Sequence, residues 1–197
     1  MKLSTFVDYF EGYTEAKIPK KNGKGYKIIR IYTGNYHVQN VSDRQWILKK
    51  FAYAVLIIAA VFFFLAASLN RNPGNSTVFV ALFSGFSAFS LIFASVSCIN
   101  YICSSRKMTV FMWKKSSGGI KRWCFASACC LFCTAVTSFI YMLFFFRDIF
   151  FMGLLYSIVY CLGGLCAFAI NKIETMTEYF EEFNNVQTPF YQEGNFL

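Results

Sequence analysis

The chain has 197 residues, with nineteen Lys/Arg against ten Asp/Glu, one His and a net charge of +9. Its hydrophobic content of 56%, with aromatics at 20% of the chain and 25 of them Phe, excludes a disordered chain, and its length leaves no room for a second large domain. A charge of this size would suit nucleic acid if it were spread over a soluble surface. Here it is confined to particular connectors, so no nucleic-acid role is expected.

In chain order, residues 1–48 form a polar N-terminal region. Residues 4–13 predict a short amphipathic helix, capped by Ser4, with Leu3, Phe6, Val7 and Phe10 at helical spacing. A polar, flexible link follows over residues 18–25. Residues 26–32 and 36–41 are rich in β-branched and aromatic side chains, and Thr33-Gly34-Asn35 between them predicts a three-residue hairpin loop. Such a hairpin is marginal alone in water, so it is expected to lean on the basic loop, the C-terminal tail or another protein. Ser42-Asp43 predicts the cap of a helix that starts near Arg44 and continues through Trp46 into the first apolar run. Trp46 and Tyr53 are expected at the membrane interface.

Four runs free of charged residues follow, at about 51–69, 78–102, 123–146 and 149–170. The shortest spans roughly 28 Å as a helix, about one hydrocarbon core. The expected fold is therefore an all-α membrane protein, a four-helix transmembrane bundle over residues 49–170 with a small α+β N-terminal appendage.

Charge sets the orientation. Residues 1–50 hold ten Lys/Arg against four acids. The segment 103–122 holds Arg106, Lys107, Lys114, Lys115, Lys121 and Arg122 with no acid, whereas the other two connectors contribute only Arg71 and the Arg147/Asp148 pair. Basic connectors stay inside, so both termini and the central loop are expected on the cytoplasmic side, with anionic lipid against that face. The first span is expected to act as an uncleaved insertion signal. The very short outer connectors are compatible with a bacterial inner membrane.

Within the spans, small residues align at close-packing intervals: Ala126, Cys130, Thr134 and Ser138; Gly153, Ser157 and Cys161; Gly163 and Ala167; Ala81 and Gly85; Ser84 and Ala88. Neutral polar groups at mid-depth include Ser87, Ser90, Thr134, Thr137 and Tyr160. Ser90, Cys130, Cys133, Thr134, Tyr160 and Cys161 are the candidate intramembrane polar or packing positions. Hydrogen bonding to the preceding turn accounts for the hydroxyls, and a path for a small uncharged solute is the rival reading. Cys130 and Cys133 have C-x-x-C spacing, and with Cys161 they could offer thiolates to a soft cation such as Cu(I), but the spacing alone in an apolar helix is weak evidence and packing is the favoured reading. Cys103 and Cys124 flank the inner interface, where acylation is conceivable.

Residues 171–197 carry one Lys and five Glu. Ile173, Met176, Phe180 and Phe183 predict an amphipathic continuation of the last helix, with Glu174, Glu178, Glu181 and Glu182 as its acidic face. This tail is expected to fold over the basic loop or to dock a partner. Lys114, Lys115, Lys121, Arg122, Glu178, Glu181 and Glu182 are the candidate docking residues.

Catalysis finds no support. His37 is the single histidine, no carboxylates pair within the apolar runs, and Gly23-Lys24-Gly25 lacks phosphate-loop spacing. Asn75-Ser76-Thr77 matches a glycosylation sequon but abuts the second span. No cofactor or metal is expected. The expected function is that of a non-enzymatic accessory or structural subunit, engaging a protein partner or further copies of itself through its cytoplasmic face. The alternative is a small channel or transporter for an uncharged or soft-metal solute.

Overall fold

The computed structural model describes residues 12–19, 26–70, 77–145 and 150–184. In chain order the elements are β1 (Tyr13–Pro19), β2 (Tyr26–Tyr32), β3 (Tyr36–Gln39), α1 (Asp43–Ser68) and α2 (Val78–Cys103). They continue with β4 (Lys107–Thr109), α3 (Val110–Lys115), α4 (Ser117–Phe145), α5 (Phe150–Thr175) and β5 (Tyr179–Glu182).

The four long helices are each long and apolar enough to cross a membrane, which makes the chain consistent with a multi-pass membrane protein. Their outer surfaces are apolar, as a lipid-facing bundle requires. Phe62, Phe86, Ile92, Phe144 and Phe151 all stand exposed, Phe151 at 82%, where a water-soluble bundle would place charge. Ser42 starts α1 as expected. Its hydroxyl accepts from the Gln45 backbone N–H while the Gln45 side chain accepts from the Ser42 N–H, a reciprocal capping box.

The helices close into a ring. α4 packs along both α2 and α5, α1 packs along α5, and α1 meets α2 less extensively. Two clusters fill the interior. One joins Tyr53, Ile57, Ala94, Cys98, Tyr101, Ile120, Cys124 and Ile170; the other joins Ala60, Ala67, Leu91, Leu131, Ala135 and Tyr160. The small-residue columns of α4 and α5 lie inward, as Thr134, Ser138, Gly153, Ser157, Gly163 and Ala167 are all buried. Gly164 lets the Phe132 ring lie against the α5 backbone, and Gly153 does the same for Met142. The column of α2 differs: Ala81 and Gly85 face outward.

Three short strands close one end of the ring as a sheet of order β4-β3-β5, antiparallel throughout. β3 comes from the N-terminal region, β4 from the central connector and β5 from the C-terminal segment, so all three segments lie at the same end of the bundle.

This sheet corrects three expectations. The segments at 26–32 and 36–41 do not pair with each other: β2 pairs with β1, and β3 pairs with β4 and β5. The turn at Thr33-Gly34-Asn35 redirects the chain between two sheets, and the Tyr32 hydroxyl donates to the Asn35 carbonyl at 2.6 Å to hold the redirection. The amphipathic tail helix does not reach Phe183, because α5 ends at Thr175 and the chain becomes a strand. The link expected over residues 18–25 is in part strand, since Ile18 and Pro19 end β1. Residues 1–11, 20–25 and 71–76, with most of the helix expected at 4–13 and the Asn75 sequon, lie outside the described residues.

At the base of the β1–β2 hairpin, Gly12 adopts a φ of +81° and its carbonyl accepts from the Thr33 and Gly34 N–H groups at 2.8 and 2.9 Å.

The α4–α5 crossing at Gly153 makes a direct prediction. Gly153→Val drives a methyl into the Met142 side chain and costs about 1–3 kcal/mol. Thermal unfolding in detergent should show the lowered midpoint, and adding Met142→Ala should restore part of it.

Candidate functional site

The principal concentration of buried polar chemistry lies where the sheet meets the helix ends. Lys49 of α1 and Glu174 of α5 form an ion pair at 2.7 Å with side-chain exposures of 8% and 0%. Both partners make further hydrogen bonds. Glu174 Oε2 also accepts from the Tyr53 hydroxyl at 2.6 Å, and Oε1 accepts from the Tyr179 hydroxyl at 2.5 Å. Lys49 donates a second hydrogen bond to Thr177 Oγ1 at 2.5 Å, and its ammonium faces the rings of Tyr53 and Tyr101, 5.4 and 5.2 Å from their centroids.

Gln39, the last residue of β3, ties the sheet into this network. Its Nε2 donates to the hydroxyls of Tyr101 at 2.5 Å and Tyr179 at 2.8 Å. Two residues earlier on the same face, His37 stacks on Trp113 of α3 with ring centroids 4.4 Å apart. Tyr179 meets that indole edge-on at 6.0 Å. Burial first, and then the neighbouring Glu174 carboxylate, push the Tyr179 hydroxyl far above its ordinary pKa and keep it a donor.

This centre holds residues that the sequence placed elsewhere. Tyr53, expected at the interface, is fully buried. Glu174, expected on an exposed acidic face, is the buried partner of Lys49. The readable clue was limited to position: Lys49 and Glu174 each sit just beyond an apolar run, so both reach the same depth at the same end of the bundle.

The docking candidates have separate fates. Glu182 Oε1 pairs with Lys107 Nζ at 2.6 Å, Glu181 Oε2 accepts from the Asn35 amide at 3.3 Å, and Glu178 contributes its backbone carbonyl to Asn40 N–H at 3.2 Å. The acidic tail thus folds onto the N-terminal and central segments, with Arg106 and Asp43 adding a further pair at 2.6 Å. Lys114, Lys115 and Arg122 are exposed and Lys121 half-buried, forming a basic flank beside the sheet.

Within the bundle, Thr134 Oγ1 donates to the Cys130 carbonyl at 2.8 Å and lies 3.2 Å from Ser87 Oγ. Ser90 Oγ donates to the Ser87 carbonyl at 3.0 Å, and Tyr160 Oη lies 3.1 Å from Ser68 Oγ. Cys130 and Cys161 are half-buried and Cys133 is exposed on the outer face of α4. Cys161 lies beside Ala135, Val136 and Phe139 along a shallow apolar groove, and no group of three His, Cys, Asp or Glu side chains suited to a metal occurs among the described residues.

Comparison of the chain with protein-family models, with characterised proteins and with solved structures finds no match.

The ion pair makes the next prediction. Breaking it from one side, by Lys49→Met or Glu174→Leu, leaves a buried charge without its counter-charge and costs about 3–5 kcal/mol. Replacing both should cost less than either alone. Chemical unfolding of the four chains in one detergent gives the coupling energy, and simple additivity would refute it.

Proposed function

We propose that the chain is a non-enzymatic accessory or structural subunit of a membrane, with both termini on the cytoplasmic side, that engages a partner through the basic flank of its capped end. The observation that carries this reading is the cap itself. Three segments far apart in sequence are joined in one sheet and anchored to the helix ends by a buried, hydrogen-bonded ion pair. An ionisable pair at this depth is by default suspected of moving ions or substrate. Here its hydrogen bonds go to Tyr53, Tyr179 and Thr177, which favours a positioning role.

The basic flank of Lys114, Lys115, Lys121 and Arg122 lies on α3 and the first turn of α4 and suits an acidic partner or an anionic leaflet. A bacterial inner membrane fits the short connectors at 70–77 and 146–149 and the side on which Lys and Arg gather. The channel or transporter reading has weaker support, because the mid-bundle hydroxyls of Ser87, Ser90 and Thr134 are taken up by the preceding turn and by one another.

The test is affinity purification of the full chain from its native membrane in mild detergent. A stoichiometric partner is expected. Exchange of Lys114, Lys115, Lys121 and Arg122 for Glu should release it, whereas Thr134→Val and Tyr160→Phe should leave it bound. Solute flux through liposomes carrying the chain alone, lost on Thr134→Val, would overturn the proposal.

A further inference from the structure

The contact between α1 and α2 is the least extensive of the four that close the ring. Partway along this seam the two helices part around a groove of about 410 Å³. Val61, Phe64 and Leu65 form its α1 wall, and Ala88, Ile92 and Val96 its α2 wall. The lining is apolar except for Ser95, whose hydroxyl is already given to the Leu91 carbonyl at 2.8 Å. The groove therefore takes an apolar group and offers it no hydrogen bond.

Both walls lead to one cation. Val61 lies eleven residues beyond Lys50 on α1, three helical turns and about 16 Å along nearly the same face. On α2 the same spacing joins Ile92 to Cys103, the last residue of the helix. Lys50 Nζ closes the seam at that level, donating to the carbonyl of Ser104 at 2.7 Å. Its ammonium also stands 3.8 Å from the centroid of the Trp46 ring, at the end of the bundle where an interfacial Trp belongs. A depth of about 16 Å below it is the reach of one leaflet, half of an about 30 Å hydrocarbon core.

The charge of Lys50 is uncompensated. Arg30, Lys49, Arg106 and Lys107 each face a carboxylate, whereas Lys50 has none among the described residues. Asp43, at the start of the same helix, is taken by Arg106 at 2.6 Å. An ammonium carries three donors, and Ser104 uses one of those on Lys50. A half-buried cation without a counter-charge, set above an apolar groove one leaflet deep, matches a molecule with an anionic head and an apolar chain. We propose that the α1–α2 seam binds one anionic phospholipid, with its phosphate on Lys50 and an acyl chain laid in the groove. A partner's transmembrane helix would cover the apolar walls but bring no anion to Lys50. The site shares no residue with the basic flank and does not depend on the partner reading above.

The test is native mass spectrometry of the full chain in mild detergent, titrated with phosphatidylglycerol and with phosphatidylcholine of the same chain length. One phosphatidylglycerol should stay bound where phosphatidylcholine is lost. Lys50→Gln should weaken it at least about fivefold, the effect of one Lys beside an anionic surface, and Lys50→Arg should keep it. Ala88→Phe should fill the groove and weaken binding with the charge untouched, whereas Lys114→Gln with Lys115→Gln should leave it unchanged. Equal retention of the two lipids overturns the proposal, as does binding indifferent to Lys50→Gln or to Ala88→Phe. In native membranes a photo-reactive side chain in place of Ile92 should capture lipid. Capture of a protein there would overturn the proposal by giving the seam to a partner's helix.

Discussion

A carboxylate sealed away from water dictates how the capped end is built. Glu174 stands at the end of a helix whose outer face is apolar, and its charge is tolerable only if every oxygen lone pair that matters finds a donor. The three donors come from two elements: Lys49 and Tyr53 from α1, and Tyr179 from the strand that follows the helix. Two of them are in turn held by something else. Tyr179 is held by Gln39 of β3, and Lys49 by Thr177 in the turn after α5. Removing the carboxylate would leave Lys49–Thr177 and Gln39–Tyr179 as the remaining polar ties at this end and would take away the acceptor shared by α1 and β5.

This arrangement inverts the usual division of labour in a small fold. Among lipid-facing helices, burial of apolar surface gives little preference for one packing over another, because lipid is as apolar as leucine. Specificity has to come from close backbone approach and from polar groups. The α4–α5 contact uses the first device at Gly153 and Gly164, and the α1–α5 contact uses both, with Gly163 against the Ala60 carbonyl and the Lys49–Glu174 pair. Ser87 and Thr134 add a smaller polar tie between α2 and α4.

The spans were legible because a charge-free apolar run of membrane length rarely folds in any other way, and their ends fall close to the observed helices. The Ser42 cap was legible for a similar reason, since its chemistry is local. The folding of the acidic tail onto the basic segments was legible from charge, but the strand pairings that accomplish it were not. The segment Tyr179–Glu182 has the spacing of an amphipathic helix, but the edge of β3 claims it. The run Tyr13–Pro19, with its charges and proline, scarcely reads as a strand, yet it is the neighbour of Tyr26–Tyr32, even though Thr33-Gly34-Asn35 suits a hairpin loop to Tyr36–Gln39. Glu174 reads as solvated because four glutamates within nine residues suggest an exposed face. Only the depth of Lys49 on another helix reveals which of them is buried.

The sheet order has a consequence for biosynthesis. β3 leaves the ribosome before any span, but its two neighbours lie two and four spans later, so its central position stays empty until the last helix has been made. A chain with one helix threaded the wrong way, or skipped, would deliver β4 or β5 to the opposite side of the bilayer and could not complete the ladder. Gln39, Tyr179 and Glu174 would then remain unmatched beside the lipid. Closure of the three-stranded sheet is therefore compatible only with a threading that brings all three segments to one end of the bundle.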